Sequence, residues 1–443
     1  MTFWRLMGYA FYVFGGLVIV FLVLPRVLGL ISRVLRKLRY AIGVILLLVA
    51  IGATYEAIES SREEREPPPG RLVDVGGHKM HLHCTGQGTP TVILESGLWD
   101  DSIVWHSVQP EIAKSTRVCS YDRAGLGYSD PRPDQVPDSR NIARNLHALL
   151  ANAGVNPPYI LVAHALGGIH IRVYENLYPS DVIGMVLVDS GHPDQENRLP
   201  PEMNKIQSLL FLKSKLWGLA VPLGIPRLLG ACGVTVECHW QTVKAREAEV
   251  QAIAASADEA RHTGSLDSMP LVVVSRDPEK GEAPGSIPLE VSHRFEEQWV
   301  QMQEELARLS TNGSRVIAIG SAHYVQIDRG DVVIAAIQKV LDAARSTSKK
   351  KIGFNAQHVN SVSARYDSHE ELAVSWPPTP RQEAKDELSK EWGVRRSCIL
   401  CGRLAFPREL YGKKIRARHR SILSAPFPWT ESLSGWVPSN RTR

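Results

Sequence analysis

Cysteine is scarce in this chain, with six residues among 443. At that density a disulfide-scaffold miniprotein is excluded. Aromatic residues are thin too, at 7%, and no internal repeat is present. No charge of one sign dominates: Lys and Arg number 51, Asp and Glu 46, for a net charge of +5. Apolar residues at 44% and charged residues at 22% are ordinary globular usage. Those values exclude a wholly disordered chain, a collagen and a polytopic membrane protein. The length points to more than one structural unit.

The small net charge conceals a segregation. Residues 1–40 hold six basic side chains and no acid, and 349–443 hold 18 basic against 9 acidic, or +9. Subtraction leaves 41–348 near −10 (5 − 6 − 9). An acidic middle lacks the basic footprint that phosphate backbones require, so no nucleic acid is expected as partner. No charged residue occurs from Gly8 to Leu24, and a second apolar run extends from Tyr40 to Tyr55. A spanning helix needs about 17–25 apolar residues. The first run meets this, and the second is slightly short. A hairpin anchor over 1–56 follows, with helices at about 8–30 and 40–56; a single span with an interfacial segment and a cleaved signal peptide are the alternatives. Arg33, Arg36, Lys37 and Arg39 between the runs favour a cytoplasmic turn, which puts everything after Glu56 on the far side of a cell membrane. Residues 57–70, charged and then Pro-rich, read as a semi-rigid linker.

Over 71–346 strands alternate with helices. Arg71–Val75 and Met80–Cys84 flank Gly76-Gly77, a hairpin signal. Short apolar strands are expected at Thr91–Glu95, Arg117–Tyr121, Tyr159–Ala163, Val182–Val188, Leu271–Ser275 and Arg315–Ile319. Helical periodicity marks 138–153, 169–178, 290–309 and 331–345. The pattern implies a mostly parallel sheet with helices on both faces, and chemistry at the carboxyl ends of the strands. Residues 191–268 interrupt the alternation and are a candidate helical cap.

Three strings carry a resemblance. Leu94-Glu95-Ser96-Gly97-Leu98, with Trp105 following, looks like an oxyanion loop. Ser120-Tyr121-Asp122-Arg123-Ala124-Gly125-Leu126-Gly127-Tyr128-Ser129-Asp130 is the most characteristic of the three, and Val162-Ala163-His164-Ala165-Leu166-Gly167-Gly168 lies between a strand and a helix. Together they resemble the α/β-hydrolase family, of the serine-hydrolase type, over about 70–346; the membrane anchor is read separately from the apolar runs. The resemblance implies a doubly wound, mostly parallel sheet with a helical cap.

It also implies a nucleophile elbow at the third string, where similar members carry Gly-His-Ser-Leu-Gly-Gly. Small flanks, here Ala163 and Gly167 with His164 and Gly168 beside them, keep such a sharp turn possible. The nucleophile position itself is Ala165. A methyl group can neither attack a carbonyl nor be activated by a base. His323, in Gly320-Ser321-Ala322-His323-Tyr324, matches the catalytic histidine. Asp277, after the strand Leu271–Ser275, is the favoured acid, with Asp189 at the end of the preceding strand as the alternative. The backbone N–H groups of Leu98 and Leu166 would form the oxyanion hole. Ser96, Ser190, Ser275 and Ser321 lie near strand ends but off the elbow. Asp122 and Arg123 are read as a structural network, His164 as a packing residue, and Cys119 as an inert strand thiol. Cys232 and Cys238 would be able to pair if the domain is extracytoplasmic.

The tail from Lys349 is basic, rich in Arg, Ser and Pro, and expected to be disordered. Its Cys398-Ile399-Leu400-Cys401 is one ligand pair where a structural zinc needs four ligands, so no metal and no cofactor are expected. The reading is a membrane-anchored scaffold of carboxylic ester or amide hydrolase ancestry that is catalytically impaired, its partners an acyl ester or amide small molecule and the lipid bilayer. Two rivals remain: a non-catalytic binding protein, and an enzyme using water activated by His323.

Overall fold

The computed structural model describes residues 7, 11–16, 18, 33–63, 68–132, 134–229, 232, 238–280 and 288–346. Most of the first apolar run lies outside these residues, as does the whole tail with Cys398 and Cys401. The first long helix, α1, runs Arg33–Glu63. Within it Leu38–Arg62 is long and apolar enough to cross a membrane. The expected linker therefore begins as helix up to Glu63, its last turns held by the Ser60–Glu56 hydrogen bond and the Glu59–Arg62 pair.

Eight strands follow: β1 (Arg71–Asp74), β2 (Lys79–Thr85), β3 (Thr91–Glu95), β4 (Val118–Tyr121), β5 (Tyr159–His164), β6 (Val182–Val188), β7 (Leu271–Arg276) and β8 (Gly313–Ala318). They form one sheet in the order β1-β2-β4-β3-β5-β6-β7-β8. β1 pairs with β2 and β2 with β4 antiparallel; every other pairing is parallel. β3, β5 and β7 are buried at every residue, as strands covered on both faces must be. Successive side chains point to opposite faces. Ile93, Leu161, Leu187 and Val273 therefore pack in one core, and Leu94, Val162, Val186 and Val272 in the other.

Helices α2 (Ser139–Asn152) and α3 (Gly167–Leu177) supply Leu146, Leu149, Ile171 and Tyr174 to the first core. The helix at 330–346, which we call α7 below, supplies Ile337, Val340 and Leu341 to the second. Asp138 caps α2 by accepting the N–H of Asn141 at 2.8 Å. The fold is thus an α/β-hydrolase fold with a mostly parallel sheet.

Residues between β6 and β7 form a helical insertion. Its long helices are α4 (Pro201–Ala220) and α5 (Trp240–Arg261), and Cys232 is bonded to Cys238 between them. After β7 comes α6 (Leu289–Ala307). A second disulfide joins Cys84 on β2 to Cys119 on β4. Cys119 is therefore no free thiol, because the strand order sets the two cysteines directly opposite in register.

Candidate active site

The turn after β5 is tight. Ala165 sits at φ +49°, in the left-handed region that a non-glycine residue adopts only at a cost of about 1–2 kcal/mol. Its neighbours hold it there. The Ala165 N–H donates to Val188 O at 3.1 Å, and Ala165 O accepts from Gly191 N–H at 2.9 Å and Gly168 N–H at 3.1 Å. Gly167 and Gly168 have no room for a side chain: a Cβ on Gly167 would lie 2.5 Å from Ser96 O, and one on Gly168 would lie 1.8 Å from Ser190 Oγ. A Cβ on Gly97 would stand 3.2 Å from the Ala165 methyl, so the loop after β3 passes directly beside the turn. Among the described residues no acceptor meets the N–H of Leu98 or of Leu166. Both donors remain available to a ligand.

His323 lies in the loop after β8. Its Nδ1 is 2.7 Å from Asp189 Oδ2. The structure thus pairs the histidine with Asp189 and not with the favoured Asp277. Asp189 follows β6, next to β5 in the sheet, and stands in strained backbone at φ +39°. Asp277 turns the other way: its Oδ2 accepts Gly320 N–H at 2.7 Å and its Oδ1 accepts Glu279 N–H at 3.0 Å. Those two backbone donors hold its carboxyl below the usual range. Asp277 shapes the loop that carries His323 and does not touch the imidazole ring.

Asp189 is fully buried and accepts three further hydrogen bonds. Arg276 Nη1 donates to Oδ2 at 2.8 Å, Trp299 Nε1 to Oδ1 at 2.8 Å, and Arg276 N–H to Oδ1 at 3.1 Å. Burial alone would push this carboxyl up, but the Arg276 charge, aided by His323 and Trp299, holds it well below the ordinary value. The other arm of Arg276 donates to Glu296 at 3.0 Å. None of these three partners was singled out from the sequence. Arg276 adjoins the Asp277-Pro278 turn, and Trp299 lies mid-helix in α6, so the only signal was a polar tip on an otherwise apolar helix face.

His164 on β5 is buried, and its Nε2 donates to His323 O at 3.0 Å, tying the elbow to the histidine loop. Its ring lies 4.5 Å from that of His323, centre to centre. Asp122 and Arg123 form the structural network expected of them. Asp122 binds His81 Nδ1 at 2.8 Å and accepts the N–H groups of Ser102 and Tyr128. Arg123 donates to Ser96 O at 2.8 Å and Gly97 O at 2.6 Å, which fixes the oxyanion loop. It also pairs with Glu95 at 2.7 Å and with Glu249 of α5 at 2.5 Å, linking sheet to insertion. The four serines have other occupations: Ser96 donates to Asp101 O, Ser190 to Gly191 O and Ser321 to Ala322 O, while Ser275 accepts from Arg315. No cluster of potential metal ligands occurs among the described residues.

A mostly parallel sheet of this order, a strained strand-to-helix turn, and a histidine–aspartate pair at the strand ends define a hydrolase-like α/β scaffold. The chain belongs to the alpha/beta hydrolase family, whose sequence pattern matches residues 92–336. It is similar to YqjL, an uncharacterized protein of Bacillus subtilis, at 25% identity over 276 residues, covering 61% of this chain and 91% of that one. It is also similar to an uncharacterized vacuolar membrane protein of Saccharomyces cerevisiae, at 31% over 134 residues, covering 26% of this chain and 21% of the yeast protein. Three further curated relatives are matched over only 20%, 35% and 51% of their own length. Among solved structures, a putative lipase of Acinetobacter baumannii aligns with a TM-score of 0.47 at 18% identity, covering 67% of this chain and 97% of that one.

Proposed function

We propose that this protein is a membrane-tethered member of the family, of carboxylic ester or amide hydrolase ancestry, whose acyl-binding site persists while its nucleophile position holds Ala165. The observation that carries the reading is the elbow itself. Ala165 occupies a strained left-handed position beside the N–H groups of Leu98 and Leu166, within a loop network that also holds the Asp189–His323 pair. A turn of that shape serves to project a side chain, and the side chain here is a methyl group.

Restoring a hydroxyl tests the idea. In the Ala165→Ser variant the hydroxyl proton passes to His323 Nε2 while the oxygen bonds to the acyl carbon. Asp189 stabilises the resulting imidazolium through Nδ1, and the Leu98 and Leu166 N–H groups receive the negative carbonyl oxygen. The variant is expected to hydrolyse a p-nitrophenyl ester at least ~10²-fold faster than the parent chain. Equal rates in parent and variant would reject an intact remainder of the machinery. Turnover in the parent that vanishes in His323→Ala would favour histidine-activated water instead. Stabilisation of the parent by an acyl ligand, without turnover in either protein, would favour the pure binding role.

Tethering is supported by the apolar stretch Leu38–Arg62, and a cell membrane with residues 71–346 on its outer side is the placement we favour. The cystines Cys84–Cys119 and Cys232–Cys238 agree with an oxidising, extracytoplasmic compartment.

A further inference from the structure

Helix α1 does not stand clear of the domain. It crosses the insertion at the short turns Val221–Leu223 and Ile225–Leu228. Gly52 and Gly224 make the crossing possible: a Cβ on Gly52 would lie 2.2 Å from Leu223 O, and one on Gly224 would lie 2.2 Å from Gly52 O. One turn later Glu56 pairs with Arg227 at 2.9 Å, both side chains being almost fully buried. The hydrocarbon core of a bilayer takes up about 20 helical residues. Counted back from Glu56, about 20 residues end among Arg36, Lys37 and Arg39, so the charges at the two ends bracket one bilayer thickness. The crossing at Gly52 then lies about 6 Å inside the boundary set by Glu56.

The insertion also exposes apolar side chains. On α4, Leu209, Leu212, Leu216 and Leu219 are all exposed, Leu216 at 59% and Leu219 at 64%. At 100° per residue they fall within an arc of about 80°. Lys213 and Lys215 flank the arc, one on each side; the Lys213 stem can lie along lipid with its ammonium in the headgroup layer, while Lys215 pairs with Glu247 of α5 at 3.5 Å beside the cavity. Beside the α1 crossing, Ile225, Leu228 and Leu229 are exposed as well, Leu229 at 71%. The inner side of α4 has a different role. Phe211, Ser214 and Gly218 line a cavity of about 210 Å³ together with Trp99, Trp240 and Val243, and Leu219 borders it from the exposed face. Trp99 is the residue next to Leu98, one of the two free N–H donors.

We propose that the outer face of α4 and the Ile225–Leu229 turn lie on the bilayer that holds α1, and that the site takes its acyl ligand from that bilayer through the cavity beneath α4. This rests on the membrane-tethered reading above. It deepens that reading by naming a lipid-like, long-chain acyl compound as the ligand class. Continuity with α1 commits the face to lipid rather than to a protein partner, since the exposed leucines begin where the apolar helix meets the insertion.

The test uses the full chain reconstituted in phosphatidylcholine vesicles and an apolar carbene-generating photoprobe dissolved in the bilayer, with labelled residues mapped by mass spectrometry. Residues of α1 and of 209–229 should both be labelled, those of 209–229 at least ~5-fold above α7, which packs on the second core. In the double variant Leu212→Asp, Leu216→Asp, labelling of α4 should fall to the α7 level while α1 stays labelled. Labelling of α1 with none on 209–229 would overturn the docking proposal and leave the tether intact. No labelling of α1 would overturn the tether and the docking proposal with it.

Discussion

Asp189 Oδ2 is shared between a guanidinium and an imidazole. In the Ala165→Ser background, Asp189→Asn should lower kcat/KM for an ester by roughly 10³–10⁴-fold, because the amide holds the wrong imidazole tautomer. Asp277→Asn should lower kcat/KM far less, since among the described residues its carboxyl accepts from the backbone of Gly320 and Glu279 and not from the imidazole. Steady-state kinetics on the two variants separate the roles. Arg276→Met should lower the unfolding free energy by about 3–5 kcal/mol in a denaturant titration, because it strands two buried carboxylates. These distinctions were hidden from the sequence for a definite reason. Asp189 and Asp277 each follow a parallel strand, and periodicity cannot say which carboxyl meets a loop that arrives from β8. The elbow and His323 were legible, because each is held in a contiguous string whose spacing is local.

At the level of the elements, the strand set was readable because β3, β5, β6 and β7 are short apolar runs with abrupt ends, as doubly covered strands must be. The insertion was readable as a break in that rhythm. Its attachment to α1 was not, since Gly52 and Gly224 acquire meaning only when two distant segments cross. The Cys84–Cys119 bond was equally hidden. It depends on β2 lying beside β4 while β3 lies on the other side of β4, an order no single strand announces. Replacing both cysteines with alanine should lower stability by about 3–4 kcal/mol for a loop of this length, measured by urea titration of protein kept oxidised. A double variant as stable as the parent would mean that the bridge is not formed in solution.

Across the whole molecule, one buried cation joins sheet to insertion. Arg123 faces both Glu95 and Glu249, and one positive charge does not neutralise two carboxylates. Burial pushes Glu95 up to about 7 against the pull of Arg123. Tyr121 donates its hydroxyl to the same carboxylate. The folded chain therefore keeps a proton on Glu95 over a range in which the unfolded chain has released it. Because the folded state binds more protons there, stability should decline as pH rises from about 4.5 to about 7. Glu95→Gln should remove that part of the decline, read as melting temperature against pH for the two proteins.

The Glu56–Arg227 pair also sets an order of assembly. Its two halves are 171 residues apart in the chain. At about 5–20 residues per second, roughly ten to thirty seconds of synthesis separate them. During that interval the glutamate has no arginine and needs water, so the proposed tether requires the nascent helix to halt with Glu56 at the aqueous boundary. On that proposal the arginine arrives at a helix already held at its final depth, and the insertion is laid down against a floor rather than folding free and docking afterwards.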